Sequence, residues 1–375
     1  MPTGPWLLVV GMHRSGTSAI TGALGQLGLQ VPAHHDRFDA SADNPDHWES
    51  RSLWLHNVRL LGRLGGTWDG PPVPGPGWES DPGLALTKLG DPAESAAAAF
   101  PDPGPLVWKD PRVCLLLPHW LAHLPKPVAA VFVWRSPLAV ARSLRARDAM
   151  ALADGVALWE RYNRSGLIGL VGVDTFVIRY ESIVEDPVGH LETLAAWLGD
   201  LEQFAGLAPR WDLSRAAASI SPSLRHQQAS GDAELLLDEH RELVEHLDAI
   251  DGSQRPLRSP PTGSESAWTT AVLDDRRQIG LLRTTVTEYK ALIDTGRRET
   301  ERLGAELDGA RDELAGMHRL YQRMRASTSW RLTRPLRQVA SLKNRRGTAA
   351  GLTHPAGEGS VSGPPTSQAT PHPPA

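Results

Sequence analysis

Apolar runs at Trp6–Val10, 106–108, Val128–Trp134 and 175–180 alternate with stretches whose apolar residues recur at helical spacing. Ile20, Leu24 and Leu27 fall on one face after the first run, and further helical patterns cover 138–147, 156–170 and 188–198. The strand runs are continuously apolar rather than alternating, as in strands covered on both faces. Strands alternating with helices predict an α/β fold with a parallel sheet flanked by helices. Between Trp68 and Pro105 the chain is rich in Pro and Gly, which predicts a long excursion with only local helix, of the kind that shapes a substrate cleft.

The texture changes after Gly252. Ser, Pro, Gly and Thr through Ser266 read as a linker. A seven-residue grid follows, carried by Val272, Ile279, Val286, Ile293, Leu307, Leu314 and Tyr321. Leu282, Tyr289, Leu303, Met317 and Met324 lie on the interleaved one. This spacing predicts a coiled coil, interrupted at Asp275, Gly296 and Thr300; the alternative is one long helix folded back on the domain. From Met317 the chain turns basic, with Arg319, Arg323, Arg325, Arg331, Arg334, Arg337, Lys343, Arg345 and Arg346 and no intervening acid. Trp330, Leu332, Leu336, Val339 and Leu342 interleave with them, a pattern that suits either an anionic membrane surface or a solvated helix end. The expected organisation is therefore an α/β domain over 1–252, a linker over 253–268, a coiled coil over 269–326, a basic amphipathic segment over 327–346 and a disordered tail over 347–375.

Composition narrows the class. With 375 residues, 41% of them hydrophobic, the chain can bury a sizeable core. A net charge of −4 gives no support for a general nucleic-acid binder, and a single cysteine, Cys114, excludes an internal disulfide framework. No run approaches the ~20 apolar residues of a membrane span, and the start lacks a secretion signal. The expectation is a cytoplasmic protein, at most peripheral at the inner face of a membrane.

The chemistry concentrates after the first strand, at Gly11-Met12-His13-Arg14-Ser15-Gly16-Thr17-Ser18. A strand–loop–helix presents backbone N–H groups and a positive dipole end to an anion. The Gly-x4-Gly spacing is that of a phosphate-binding loop, but Thr17 stands where a nucleoside triphosphatase carries lysine, and the basic residue is Arg14. Such a loop is a poor clamp for a γ-phosphate with magnesium and suits a single 5′ phosphoryl-type group. A second anion site is predicted where Val128–Trp134 delivers Arg135, Pro137 starts a helix and Ser143 lies two turns along it.

The two sites together, the second some 120 residues after the first, resemble the sulfotransferase family, which uses 3′-phosphoadenosine 5′-phosphosulfate (PAPS) as donor. The resemblance runs from about Trp6 to His226. It includes Asn44-Pro45-Asp46-His47-Trp48-Glu49, Trp108-Lys109-Asp110-Pro111-Arg112 and Ser223-Leu224-Arg225-His226, which look like a bacterial branch. It implies a P-loop-type, sulfotransferase-like α/β fold in which His13, Arg14, Ser15, Gly16, Thr17 and Ser18 hold the 5′ phosphosulfate. Arg135 and Ser143, eight residues apart, would hold the 3′ phosphate. The implied reaction moves a sulfuryl group from PAPS to a hydroxyl, with no metal, leaving 3′-phosphoadenosine 5′-phosphate. The tail Ser327-Thr328-Ser329-Trp330-Arg331-Leu332-Thr333-Arg334-Pro335-Leu336-Arg337 resembles an ending of bacterial glycosyltransferases of surface-polysaccharide assembly, which points the acceptor towards a glycan, glycolipid or related metabolite.

Sulfuryl transfer needs removal of the acceptor proton and stabilisation of charge on the bridging oxygen. Lys109, at a strand end, and Arg14 are the candidates for the charge; the alternative for Lys109 is a pair with Asp110 that stabilises a turn. Glu49 is the candidate base, with His47 as its competitor. His34 and His35 lack neighbouring ligands at metal spacing. Trp48, Trp54, Trp68, Trp108, Trp120 and Trp159 read as core before sugar platforms, given the area an indole buries. Two other functions remain open: a catalytically idle scaffold of a glycan-synthesis assembly with a coiled-coil partner or homodimer, and a P-loop nucleotide kinase.

Overall fold

Four continuously apolar or nearly apolar segments form the parallel part of the sheet. The computed structural model describes residues 4–39, 48–85, 92–102, 104–206, 211–220 and 236–337. In order, the first half contains β1 (Trp6–Val10), α1 (Thr17–Gln26), α2 (Arg51–Arg63), α3 (Pro82–Ala85), α4 (Pro92–Ala99), β2 (Leu106–Lys109), α5 (Val113–His123) and β3 (Val128–Trp134). Then come α6 (Pro137–Asp148), α7 (Leu152–Gly169), β4 (Asp174–Arg179), α8 (Tyr180–Glu185), α9 (Pro187–Gly199) and α10 (Leu213–Ala218). The described chain ends with α11 (Asp238–Ala249), β5 (Gly252–Gln254), α12 (Ala267–Ala326) and α13 (Thr328–Leu332).

The sheet order is β2-β1-β3-β4-β5. The first four strands are parallel, while β5 runs antiparallel against β4. That edge strand falls where a linker was expected. Its Gly-Ser-Gln sequence carries no apolar signal, and it pairs through its backbone alone.

Side chains alternate across β1 into two cores. Trp6, Leu8 and Val10 pack with residues of α2, α5, α7 and α11, and Leu7 and Val9 with residues of α1, α8 and α9. Burying one such Leu or Val contributes about 1.5–3 kcal/mol, which explains why strands covered on both faces are apolar throughout. The chain leaves β1 towards β2 and returns past it to β3, so a switch point lies at the carboxyl edge beside β1, where ligands of open α/β sheets bind.

The chain divides into two compact units, Met1–Glu288 and Tyr289–Ala375. The first therefore takes in the start of the 60-residue α12, where the sequence pattern placed a boundary at 252. Leu273 is fully buried in the main core, and Trp268 and Val272 pack against it. Glu160 anchors this start: it accepts from Ser266 N (3.1 Å), Ser266 Oγ (2.8 Å) and Arg164 Nε (2.8 Å), with His240 Nε2 at 3.1 Å. Burial alone would raise the Glu160 carboxyl, but hydrogen bonds from His240, Thr269, Arg164 and Ser266 outweigh it and hold it at about 2. Further along α12, Ile279, Val286, Ile293, Leu307, Leu314 and Tyr321 are exposed. The predicted disordered tail, and Lys343, Arg345 and Arg346 of the basic run, lie outside the described residues.

A histidine cluster on α2 and α5 gives a pH prediction. His56 Nε2 lies 3.2 Å from His119 Nε2, and the tilted rings of His119 and His123 are 4.4 Å apart. Burial, then the charges of His123 and His56, lowers His119 to about 3. The unfolded chain binds a proton there near pH 6.5 and the folded chain does not, so stability falls as pH drops from 6.5 towards 3. His119→Gln should remove about 1–3 kcal/mol of that loss in denaturant titrations at pH 7 and pH 4. An unchanged pH slope in the variant would mean that His119 protonates as freely folded as unfolded.

Candidate active site

Every candidate residue that the structure describes sits at the carboxyl edge of the parallel strands. The loop after β1 turns on two positive-φ residues, Arg14 (φ 68°) and Gly16 (φ 91°). A Cβ on Gly16 would lie 1.9 Å from the Tyr180 ring, and one on Gly11 would lie 2.3 Å from the Val133 carbonyl oxygen, so both must be glycine. No side chain caps α1 at Gly16, which leaves the first-turn N–H groups directed at the loop. Ser15 is fully buried, and among the described residues its hydroxyl has no partner.

Two residue sets meet at this loop. On the β3 side, Arg14 Nε donates to Ser143 Oγ at 2.8 Å, and Arg135 Nη1 donates to the Arg14 carbonyl at 3.2 Å. Arg135 is itself held from two sides: its guanidinium lies 4.9 Å from the Tyr180 ring centre and Trp159 Nε1 donates to its carbonyl at 2.8 Å, while the next residue, Ser136, donates its N–H to Glu181 at 3.1 Å. Burial lowers the pKa of Arg135, opposed by Tyr180 and Glu181.

On the β2 side, Lys109 Nζ donates to Ser18 Oγ at 3.0 Å and is ion-paired with Glu49. The anticipated turn pair of Lys109 with Asp110 does not form. Asp110 instead accepts from Arg112 Nη1 (3.0 Å), Arg112 N (3.0 Å) and Asn57 Nδ2 (2.9 Å), which leaves Lys109 to the loop. Glu49 is carried into place by Asp36, which accepts from Ser50 Oγ, Ser52 N (3.1 Å) and Ser52 Oγ (2.6 Å). Asp36 was not singled out in sequence, because its partners lie 14 and 16 residues away with no repeating pattern to announce them.

His13 faces the aromatic side of the loop. It is buried between Trp68 (4.7 Å) and Tyr162 (5.8 Å), and among the described residues its Nε2 has no partner. Burial first, then the charges of Arg112, Arg147 and Lys109, hold its pKa well below 6.5 against the opposing charge of Glu49. His13 is thus neutral at pH 7 and brings an imidazole, not a cation, to the loop. Of the tryptophans, Trp108, Trp120 and Trp159 are core, while Trp48, Trp54 and Trp68 are half-buried and stack with Arg37, Arg112 and Arg147. His47, Asn44, Pro45, Asp46 and the segment 223–226 lie outside the described residues. Among the described residues no group of three His, Cys, Asp or Glu side chains could hold a metal, and no helix is long and apolar enough to cross a membrane.

No protein-family model matches the chain. No curated protein matches it either. Among solved structures it is similar to the sulfotransferase domain of the Synechococcus PCC 7002 olefin synthase, with 21% identity over 66% of this chain and 96% of that one and a TM-score of 0.39. It is also similar to the sulfotransferase domain from the curacin biosynthetic pathway, with 17% identity over 73% of this chain and 97% of that one and a TM-score of 0.32. Likeness at that level leaves donor, acceptor and reaction to be argued from the residues themselves.

Proposed function

We propose that this chain is a sulfotransferase that moves a sulfuryl group from PAPS to a hydroxyl of a glycan, glycolipid or related metabolite by in-line transfer. The observation that carries the reading is the convergence on one glycine-shaped loop of an arginine–serine–arginine set and a lysine–glutamate–serine set. The first suits a phosphate held by forked, charge-assisted hydrogen bonds. The second suits a proton transfer beside a developing negative charge. Ser15, buried without a partner among the described residues, and the uncapped first turn of α1 fit an anionic ligand on the loop.

When bound, PAPS supplies the sulfuryl group and carries the leaving charge. The N–H groups of Gly16, Thr17 and Ser18 would hold its 5′ end, while Arg135 and Ser143 would hold its 3′ phosphate, with Arg14 between the two. Glu49 takes the acceptor hydroxyl proton as the acceptor oxygen bonds to sulfur. Loss of charge on Glu49 would release the Lys109 ammonium to hydrogen-bond the leaving oxygen and offset the charge that develops there. Arg14, permanently charged and forked, neutralises rather than donates. The glycan acceptor rests on the resemblance of the tail.

Calorimetry with 3′-phosphoadenosine 5′-phosphate, adenosine 5′-monophosphate and Mg²⁺-ATP tests the donor. Expected is binding that prefers the 3′-phosphorylated ligand by tenfold or more. A preference for Mg²⁺-ATP would replace this reading with the kinase, and donor binding with no transfer to any acceptor would replace it with the scaffold.

The exposed heptad positions of α12 are assigned to a coiled-coil homodimer. Light scattering should show twice the 40.7 kDa chain mass, falling to one chain mass in Leu307→Glu/Leu314→Glu. A monomeric wild type overturns the assignment. The basic segment is assigned to an anionic membrane surface, and failure to sediment with anionic vesicles at low salt would remove that assignment.

A further inference from the structure

The start of α12 is joined by an unbroken series of contacts to the donor loop. Arg276 donates from Nε to the Asp69 carbonyl at 2.7 Å and from Nη2 to Asp69 Oδ2 at 2.8 Å, and its Nη1 reaches Asp154 of α7. Asp69 belongs to a tight turn closed by Thr67 N to the Gly70 carbonyl (2.9 Å), Gly70 N to Thr67 Oγ1 (3.0 Å) and Thr67 Oγ1 to Asp69 Oδ1 (2.8 Å). A Cβ on Gly70 would lie 2.9 Å from the Arg277 Cα, so the turn presses directly on the helix backbone. On its other side the turn presents Trp68 to His13, with the Trp68 carbonyl accepting from Tyr162 Oη at 2.7 Å and the Arg147 guanidinium 5.5 Å from its ring centre.

We infer that the first turns of the long helix form part of the donor site, with Arg276 a positioning residue that holds Trp68 against His13 of the glycine-turned loop. A forked guanidinium that grips both the carbonyl and the carboxylate of one residue fixes a turn in a way that a single point charge cannot. Trp68 also packs on the main core, and Arg276 sets the turn that carries it. Without Arg276 the turn is free to lift, and His13 loses the indole that excludes water from it. The effect on the neighbouring Arg14, Ser15 and Gly16 would appear as weakened donor binding, a consequence that rests on the donor reading above.

The test uses the full chain with ¹³C-labelled histidine, comparing wild type, Arg276→Ala, Arg276→Lys, Gly70→Ala and Leu247→Ala, the last a core truncation on α11. His13 faces Arg112, Arg147, Lys109 and Glu49, none of which these variants change. Expected in Arg276→Ala and Gly70→Ala is a movement of the His13 titration towards 6.5, absent from Leu247→Ala even where thermal stability falls as far. Affinity for 3′-phosphoadenosine 5′-phosphate should fall about tenfold with them, the KM for donor changing more than kcat, and Arg276→Lys should recover part of both. An unmoved His13 titration in Arg276→Ala and Gly70→Ala overturns the inference, as does an equal movement in Leu247→Ala. A moved titration in a chain that binds no 3′-phosphorylated ligand keeps the clamp and overturns the donor reading instead.

Discussion

Lys109→Met is expected to lower kcat for sulfuryl transfer by about 10²–10³-fold, the loss that follows removal of one donor aimed at a developing negative charge in a buried site. Binding of 3′-phosphoadenosine 5′-phosphate should change only a few fold, because the lysine contacts Ser18 and Glu49 rather than the arginine set. The side chain is buried, and its removal takes this ion pair from the Glu49 carboxylate in a poorly solvated place, where breaking one partner of an ion pair costs about 3–5 kcal/mol. Lys109→Met/Glu49→Gln removes that penalty. Its thermal stability and ligand binding, set beside those of Lys109→Met, show how much of the single variant's loss is unfolding of the corner. If kcat is down in Lys109→Met while its fold and bound ligand are normal, the lysine acts on the reacting oxygen; a Lys109→Met as fast as wild type has lost nothing the chemistry uses. Glu49→Gln alone should be slow across the pH range, because the amide offers no base at any pH.

The second large effect is at Arg135. Replacing it by alanine should weaken 3′-phosphoadenosine 5′-phosphate by about 10–150-fold, the worth of a charge-assisted contact of about 1.5–3 kcal/mol. Affinity for adenosine 5′-monophosphate should hardly move, so the preference between the two ligands collapses. That ratio matters because Arg135 also supports the Arg14 carbonyl and stacks on Tyr180. A merely structural arginine would weaken both ligands alike. Arg135→Lys keeps a charge but loses the fork and much of the stacking, and should fall between wild type and alanine.

How much of this could be read without coordinates varies element by element. The loop from Gly11 to Ser18 was legible because close backbone approach leaves a local trace: glycines at fixed spacing between an apolar run and a helical pattern. The strands over 128–134 and the helix that starts at Pro137 were legible for the same reason, since period and capping are properties of neighbours in sequence. The edge strand Gly252–Gln254 left no trace, being polar and held by backbone pairing. Where the first compact unit ends was hidden as well. The heptad grid carries Val272 and Ile279 alike, and only contact with the core separates buried Leu273 from exposed Ile279.

The site shows the same division. Residue types and strand ends marked Arg14, Lys109, Arg135 and Ser143 as candidates, because strand termini in a parallel sheet share one edge. Which of them touch was decided by packing: Arg14 crosses to Ser143 over 129 positions of chain, and Lys109 turns from its neighbour Asp110 to Glu49, 60 positions away. His13 is the sharpest case. Its place in the loop suggested an anion contact; its burial beside Trp68 and Tyr162, which lowers its pKa, left no trace in the spacing. By itself, then, the chain determined the alternation of strand and helix, the anion-shaped loop and the long amphipathic helix, because each is encoded in spacing over a few turns or pleats. The tertiary structure alone decided the pairing of charges, the protonation of His13 and the attachment of α12 to the loop over Trp68. Those depend on desolvation and on partners distant in sequence, which no local pattern records.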